Sequence, residues 1–142
     1  MRVPFNYLQF EFKEHRDIIS KWRELILSTD YTLGKYVNLV EKKFSSYFNC
    51  KYVIAVNSGT DALILALKSL GIKSGDEVIT AANTFYATAG AIVACGAKPI
   101  LIDVNDNYQI NEKLIEKSIT KQTRAIIPVY WGGGAPEIES II

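Results

Sequence analysis

Strand-like and helix-like segments alternate through the chain from Tyr52 onward. Short runs rich in β-branched residues are followed by longer runs rich in alanine and leucine, and Gly71 and Gly96 close two of the longer runs. Short β-branched runs are typical of buried strands, whereas alanine-rich runs that end in glycine are typical of helices. The alternation predicts an α/β fold, with a mainly parallel sheet and helices on both of its faces.

The predicted elements follow from the same patterns. Strands are predicted at 52–56, 78–80, 99–104 and 124–129, and helices at about 61–70, 84–95 and 112–118. Before these units, apolar residues recur at three- and four-residue spacing, which predicts two amphipathic helices with Trp22 as a packing anchor. We therefore expect an N-terminal helical segment, residues 1–50, and an incomplete α/β domain, residues 51–142.

The composition argues against several classes of protein. The 142 residues are 49% hydrophobic and carry a formal net charge of +1, which allows a real core but gives no reason to expect nucleic acid or an anionic membrane as a partner. No apolar run is long enough to span a bilayer, and the first residues lack the pattern of a signal peptide. A cytoplasmic location is expected.

The residues that commonly build metal or redox sites are few. Cys50 and Cys95 lie far apart without a CxxC pair, so both are expected to be reduced core thiols. His15 is the single histidine and lies in a polar helical stretch, where an exposed side chain is expected. A metal cluster or a histidine-centred triad is hard to build from this set.

A turn of small residues, Asn57 to Leu63, joins the first predicted strand to the first predicted helix of the α/β part. Free backbone N–H groups at a helix N-terminus attract phosphate, and Gly59 lets an anion approach the backbone closely. The hydroxyls of Ser58 and Thr60 are further possible donors. An ordinary helix cap explains the same residues, so both interpretations stay open.

Ligands of open α/β sheets bind beyond the carboxyl ends of the strands. Phe85 and Tyr86 follow the second predicted strand, where an aromatic ring could stack on a flat heteroaromatic ligand or pack in the core. A phosphate site and a stacking ring at one sheet edge suit pyridoxal phosphate. The three glycines at 132–134 do not form the GxGxxG pattern of dinucleotide-binding folds, and no P-loop pattern occurs.

Several short motifs occur in a characteristic order along the chain. They are Val3-Pro4-Phe5, Leu33-Gly34-Lys35, Val56 to Leu63, Gly71-Ile72, Gly75 to Ile79, Ala82 to Phe85, Ala87-Thr88, Gly96-Ala97 with Pro99, Asp103-Val104, and Ala125 to Val129. In this order the chain closely resembles the N-terminal portion of the pyridoxal-phosphate-dependent sugar aminotransferases of the DegT/DnrJ/EryC1/StrS family.

The resemblance implies the N-terminal part of a type I aminotransferase large domain, so that residues 51–142 would be an incomplete cofactor-binding domain. It implies pyridoxal phosphate as cofactor and a homodimer with active sites at the subunit interface. Members transfer an amino group, usually from glutamate, to a keto-sugar linked to a nucleotide, in amino-sugar and polysaccharide biosynthesis.

The resemblance also implies roles for single residues. Ser58, Gly59 and Thr60 would hold the cofactor phosphate, with the amides of the last two as donors, and Phe85 would stack on the pyridine ring. The loop with Tyr31 and Gly34 would approach the substrate.

Two functional positions of the family lie downstream of Val129 and are not matched by residues of this chain. They are the lysine that forms the Schiff base and the carboxylate that pairs with the pyridine nitrogen, so the 142 residues alone are expected to be inactive. In some relatives a histidine replaces that lysine and the reaction is a sugar dehydration, so a dehydratase stays an alternative. A further alternative is a non-catalytic oligomerisation module, suggested by the apolar face of Ile138, Ile141 and Ile142.

Overall fold

A computed structural model describes residues 8–12 and 15–142. The chain divides into two compact units, Met1–Ala55 and Val56–Ile142. The domain boundary expected after residue 50 stays a prediction, and the Val3-Pro4-Phe5 motif lies outside the described residues.

The first unit is helical. Its helices in the described residues are α1 (Leu8–Glu11), α2 (Arg16–Ser28) and α3 (Lys35–Tyr47), which confirms the two predicted amphipathic helices. Thr29 ends α2 in the left-handed conformation, with a φ of 55°. Asp30 caps α3, because its carboxylate accepts the backbone N–H of Lys35 at 2.8 Å.

The apolar faces of α2 and α3 are exposed, contrary to expectation. Neither helix contains a buried residue, and Trp22, predicted as a packing anchor, is 67% exposed. Within the described part of this unit, the two helices do not supply enough surface to cover one another's apolar side chains.

The second unit is built on a parallel sheet. Its strands in the described residues are β1 (Glu77–Ala81), β2 (Lys98–Ile102) and β3 (Thr123–Ile127), in the order β2-β1-β3. The helices are α4 (Gly59–Ser69), α5 (Tyr86–Ala94), α6 (Glu112–Ser118) and α7 (Ile138–Ile141), with a 3-10 turn at Trp131–Gly133. The central strand β1 is buried along its whole length.

Side chains alternate across β1 and feed two hydrophobic clusters. Val78 packs with residues of α4 and α5 on one face, whereas Ile79 and Ala81 pack with Ile110 and α6 on the other. Helices therefore cover both faces of a parallel sheet, which confirms the predicted fold class.

The first predicted strand is the main error. Residues 52–56 are not in a strand, because none of the described residues forms a ladder with them. Their β-branched composition indicates a tendency to extend, but a strand also requires a partner. The other strand and helix predictions agree with the structure to within two residues. The helix α5 begins two residues later than predicted, because Phe85 is extended.

Three smaller expectations are resolved by burial. His15 is exposed as predicted, whereas Cys50 is also exposed and so is not a core thiol; Cys95 is half-buried against α4. Ile141 packs against the cluster that contains Ile79, which removes much of the apolar face that suggested an oligomerisation module. Among the described helices, none is long and apolar enough to cross a membrane.

Candidate functional site

The first turn of α4 is capped by Ser58. The Ser58 hydroxyl oxygen accepts the backbone N–H of Asp61 at 3.1 Å and donates its own hydrogen to the Asp61 carboxylate at 3.2 Å. The predicted helix cap is therefore confirmed. Because this hydroxyl is already paired, Ser58 shapes the turn and is a weaker candidate for a direct phosphate donor than its two neighbours.

The next two residues leave their donors open. In the part of the chain that the structure describes, the backbone N–H groups of Gly59 and Thr60 donate no hydrogen bond. A Cβ added at Gly59 would meet no atom within 4 Å, so the space on that side of the residue is open. Two free amides at the positive end of an eleven-residue helix form a suitable cradle for a phosphate.

Phe85 lies at the start of α5 with an exposed ring. Its side chain is 62% exposed, and the ring centroid is 4.2 Å from that of Tyr86, with the two planes tilted by 51°. The alternative that Phe85 packs in the core is therefore wrong. An exposed aromatic ring can offer one face to a planar heteroaromatic ligand at little cost in stability.

Two threonine hydroxyls fix the entry into α5. The side chains of Thr84 and Thr88 are 2.8 Å apart and hydrogen-bonded, and Thr88 is buried. This hydrogen bond holds Thr84, the residue before Phe85, against the first turn of α5. It was not singled out from the sequence, although two threonines at i and i+4 around a helix start are a recognisable signal.

The N-termini of α4 and α5 lie toward the same edge of the sheet. A Cβ at Gly96, just after α5, would be 3.4 Å from the amide nitrogen of Ser74, so the loop after α4 contacts the C-terminal end of α5. The helices pack side by side on one sheet face, and α5 starts directly beyond the carboxyl end of β1. The Gly59 amide and the Phe85 ring therefore belong to the same edge, where ligands of such sheets bind.

The loop that follows β2 is held by its own side chains. The Asp103 carboxylate accepts the N–H of Val104 at 2.8 Å. Gln109, further along this loop, is buried and donates to the carbonyl oxygen of Trp131 at 3.0 Å. Sequence patterns do not single out Gln109, because its burial depends on the approach of a distant loop.

The two residues predicted to approach the substrate lie in the first unit. The hydroxyl of Tyr31 donates to the carbonyl oxygen of Ile26 at 2.9 Å, and Gly34 precedes α3. A Cβ at Gly34 would be 2.6 Å from the carbonyl oxygen of Asp30, so this position requires glycine for a close backbone approach. Their role toward a substrate stays a prediction.

The residues present fit pyridoxal phosphate at two points, the open amides of Gly59 and Thr60 and the exposed ring of Phe85. No group of three or more metal-ligating side chains occurs in residues 8–12 and 15–142. The arrangement can bind a phosphate and a flat ring.

Comparison with known proteins identifies the relatives of the chain. The sequence profile of the DegT/DnrJ/EryC1/StrS aminotransferase family matches residues 13–142. One relative is the 3-oxo-glucose-6-phosphate:glutamate aminotransferase of Bacillus subtilis. The match is 40% identical and covers 90% of this chain and 29% of that protein. A second relative is the dTDP-3-amino-3,6-dideoxy-alpha-D-galactopyranose transaminase of Aneurinibacillus thermoaerophilus. The match is 39% identical and covers 98% of this chain and 39% of that protein.

Solved structures agree with the sequence relatives. The crystal structure of NtdA from Bacillus subtilis, with bound cofactor PMP, superposes with a TM-score of 0.92 and 37% identity, over 99% of this chain and 33% of that one. The chain thus spans well under half the length of the relatives it matches. Its fold is that of the N-terminal part of a type I aminotransferase, and the chain belongs to the DegT/DnrJ/EryC1/StrS aminotransferase family.

Proposed function

We propose that this chain supplies the phosphate-binding and ring-stacking half of a pyridoxal-phosphate-dependent aminotransferase that acts on a nucleotide-linked keto-sugar. The observation that carries the proposal is the pair of open amides at Gly59 and Thr60 on the same sheet edge as the exposed ring of Phe85. When bound, pyridoxal phosphate supplies the electron-withdrawing ring that allows an amino group to be transferred.

Each residue has a defined part in binding. The N–H groups of Gly59 and Thr60 donate to phosphate oxygens, and the dipole of α4 adds a favourable field. Ser58 holds the first helical turn in place, and the side chain of Thr60 is a possible further donor. The ring of Phe85 stacks against the pyridine ring and orients it.

The substrate class is inferred from two relatives. One is named as a transaminase of a dTDP-linked amino sugar and the other as a glutamate aminotransferase of 3-oxo-glucose-6-phosphate. Both names support a keto-sugar that carries phosphate, and the second supports glutamate as amino donor. We propose the nucleotide-linked sugar for this protein, together with a homodimeric, cytoplasmic enzyme of amino-sugar or polysaccharide biosynthesis.

The test uses the intact gene product that contains these 142 residues. Purified protein is supplied with pyridoxal phosphate, glutamate and either a dTDP-linked keto-sugar or the matching keto-sugar phosphate, and the amino sugar is measured by mass spectrometry. Amination of the nucleotide-linked sugar with formation of 2-oxoglutarate is expected. Amination of the sugar phosphate alone would overturn the substrate, and loss of water without amination would favour the dehydratase.

We also propose that the 142 residues alone are inactive, since no lysine among them stands in the family's Schiff-base motif. The isolated chain is treated with pyridoxal phosphate and borohydride, and modified lysines are located by mass spectrometry. Scattered, substoichiometric labelling is expected. One adduct per chain at a single lysine, with turnover, would contradict the proposal.

A further inference from the structure

Gln109 is a buried amide that joins two loops. Its side chain is 4% exposed, and its Nε2 donates to the carbonyl oxygens of Asn107 at 3.2 Å and Trp131 at 3.0 Å. Because both neighbours of this nitrogen are carbonyl oxygens, which only accept, the orientation of the amide is determined. The bond thus connects the loop after β2 with the loop after β3.

The loop that carries Gln109 is built to turn the side chain inward. The Asn105 side-chain oxygen accepts the backbone N–H of Gln109 at 3.1 Å, and Asn105 donates its own N–H to the Gln109 carbonyl at 2.8 Å. Tyr108, the residue before, has a φ of 61°, which is costly for a residue with a large side chain. This unfavourable conformation of Tyr108 occurs in the turn that places Gln109 against the neighbouring loop.

The partner loop leaves room for this amide. Gly134 has an ordinary φ of −73°, yet a Cβ there would be 2.6 Å from Gln109 Nε2. A larger residue at position 134 would therefore displace the Gln109 amide, although the backbone conformation allows any residue. The amide N–H of Gly134 also donates to the Trp131 carbonyl at 2.9 Å, so that this oxygen receives two hydrogen bonds.

Stability alone does not explain why a glutamine is buried at position 109. The Gln109 side-chain oxygen is buried without a hydrogen-bond partner among the described residues, which costs free energy. An apolar side chain of similar length would avoid that cost. The amide is better explained by its hydrogen bond to Trp131, which fixes the position of that residue.

The loop that Gln109 holds lies beside the candidate cofactor site. β1 and β3 are neighbours, with Thr80 paired to Ile127, and the Thr80 hydroxyl donates to the Ile127 carbonyl at 2.9 Å. The chain reaches Phe85 five residues after Thr80 and Tyr130 three residues after Ile127. Tyr130 and Trp131 are both exposed at this edge.

We propose that Gln109 is a positioning residue: its amide fixes the carbonyl of Trp131 and thereby holds Tyr130 and Trp131 as one wall of the site beside Phe85. This role in ligand binding rests on the proposed function. The claim that Gln109 positions Trp131 does not rest on the proposed function, and it is tested without a ligand.

The test uses the full chain with Trp22→Phe, which leaves Trp131 as the single tryptophan of the two in the sequence. Three variants are compared in this background. Q109M keeps the length of the side chain but cannot donate, G134A fills the space of the amide, and the third variant carries both changes. G90A is the matched control, because Gly90 is exposed in α5 with open space around it.

Both single variants are expected to shift the emission of Trp131, whereas G90A leaves it unchanged. The flexible methionine side chain that Q109M introduces has no hydrogen bonds to hold it, so G134A should lower the urea midpoint less in the Q109M background than in the parent. Additive effects on the midpoint, or an unchanged emission of Trp131 in a folded variant, would overturn the proposal. If Q109M does not fold, the proposal is tested by comparing the emission of Trp131 in G134A with that in G90A.

Quenching of Trp131 emission by added pyridoxal phosphate separates this proposal from the function. Q109M should weaken the apparent affinity by about two- to tenfold, the value of one hydrogen bond. An affinity equal to that of the parent would overturn the role in ligand binding. A parent that does not respond to pyridoxal phosphate contradicts the proposed function, while the emission shift and the midpoints still decide whether Gln109 positions Trp131.

Discussion

Ser58 and Asp61 exchange two hydrogen bonds: the Ser58 oxygen accepts the Asp61 backbone N–H at 3.1 Å, and the Ser58 hydroxyl donates to the Asp61 carboxylate at 3.2 Å. The exchange orders the first turn of α4, and the amides of Gly59 and Thr60 donate no hydrogen bond among the described residues. The same turn therefore acts as a helix cap, and in the proposed function it also holds the phosphate; the sequence left both interpretations open.

Removing the cap should destabilise the second unit. S58A loses the acceptor for the Asp61 N–H, and a lost serine cap costs about 1 kcal/mol. Urea denaturation should show a lower midpoint with an unchanged slope. S69A is the control, because Ser69 is exposed at the other end of α4 and bonds only within its helix, to the Ala66 carbonyl. Equal midpoints for S58A and S69A would show that the cap contributes nothing measurable.

Phe85 should contribute to cofactor affinity and little to stability. Its ring is 62% exposed, so F85A removes little buried surface, whereas a lost aromatic contact of about 0.5–1.5 kcal/mol lowers affinity about two- to tenfold. Pyridoxal phosphate binding to the intact gene product is measured by absorbance titration. F85W should retain affinity. Y86A tests the neighbouring ring, and a larger loss in Y86A than in F85A would assign the stacking to Tyr86.

Acid should weaken the opposite edge of the sheet through Glu77. The Thr120 hydroxyl donates to Glu77 at 2.7 Å and the Lys98 ammonium at 3.1 Å, and these contacts lower the pKa of Glu77 below its ordinary value of 4.5. A carboxylate whose pKa is lower in the folded state stabilises the fold above its unfolded pKa, and this contribution is lost as the pH falls through the folded pKa.

The pH dependence is measured as the urea midpoint of the full chain between neutral pH and pH 3. The midpoint should fall below about pH 4.5 in the parent, and E77Q should flatten that fall while lowering the midpoint at neutral pH. E116Q is the control, because Glu116 is exposed on α6. An acid-induced fall that is as steep in E77Q as in E116Q would exclude Glu77 as its source.

Local patterns predicted most of the second unit. Gly71 and Gly96 were expected to close α4 and α5, and both have a φ of 79°, which glycine adopts without strain. A helix was expected at about 112–118, and the side chain of Asn111, just before it, accepts the N–H of Lys113 at 3.1 Å. Caps of this kind depend on residues three or four positions apart, so a sequence shows them directly.

Features that depend on distant contacts were not predicted. Residues 52–56 have the composition of a strand, but pairing needs a neighbour that no described residue provides. The Gln109 amide is buried because Trp131, in another loop, lies over it. The single sequence does not show such an approach, although glycine at position 134 is consistent with close packing.

The central claim is that the Gly59 amide binds the phosphate of pyridoxal phosphate, and G59A tests it most directly. The intact gene product and its G59A and G90A variants are titrated with pyridoxal phosphate and with pyridoxal, which lacks the phosphate. An added Cβ at position 59 meets no atom within 4 Å, so the fold should tolerate alanine there. We expect the added methyl group to hinder a phosphate that approaches the neighbouring amide. We expect G59A to weaken pyridoxal phosphate binding about tenfold, the value of one charged hydrogen bond, without changing pyridoxal binding. A folded G59A variant that binds pyridoxal phosphate as tightly as G90A does would contradict the account.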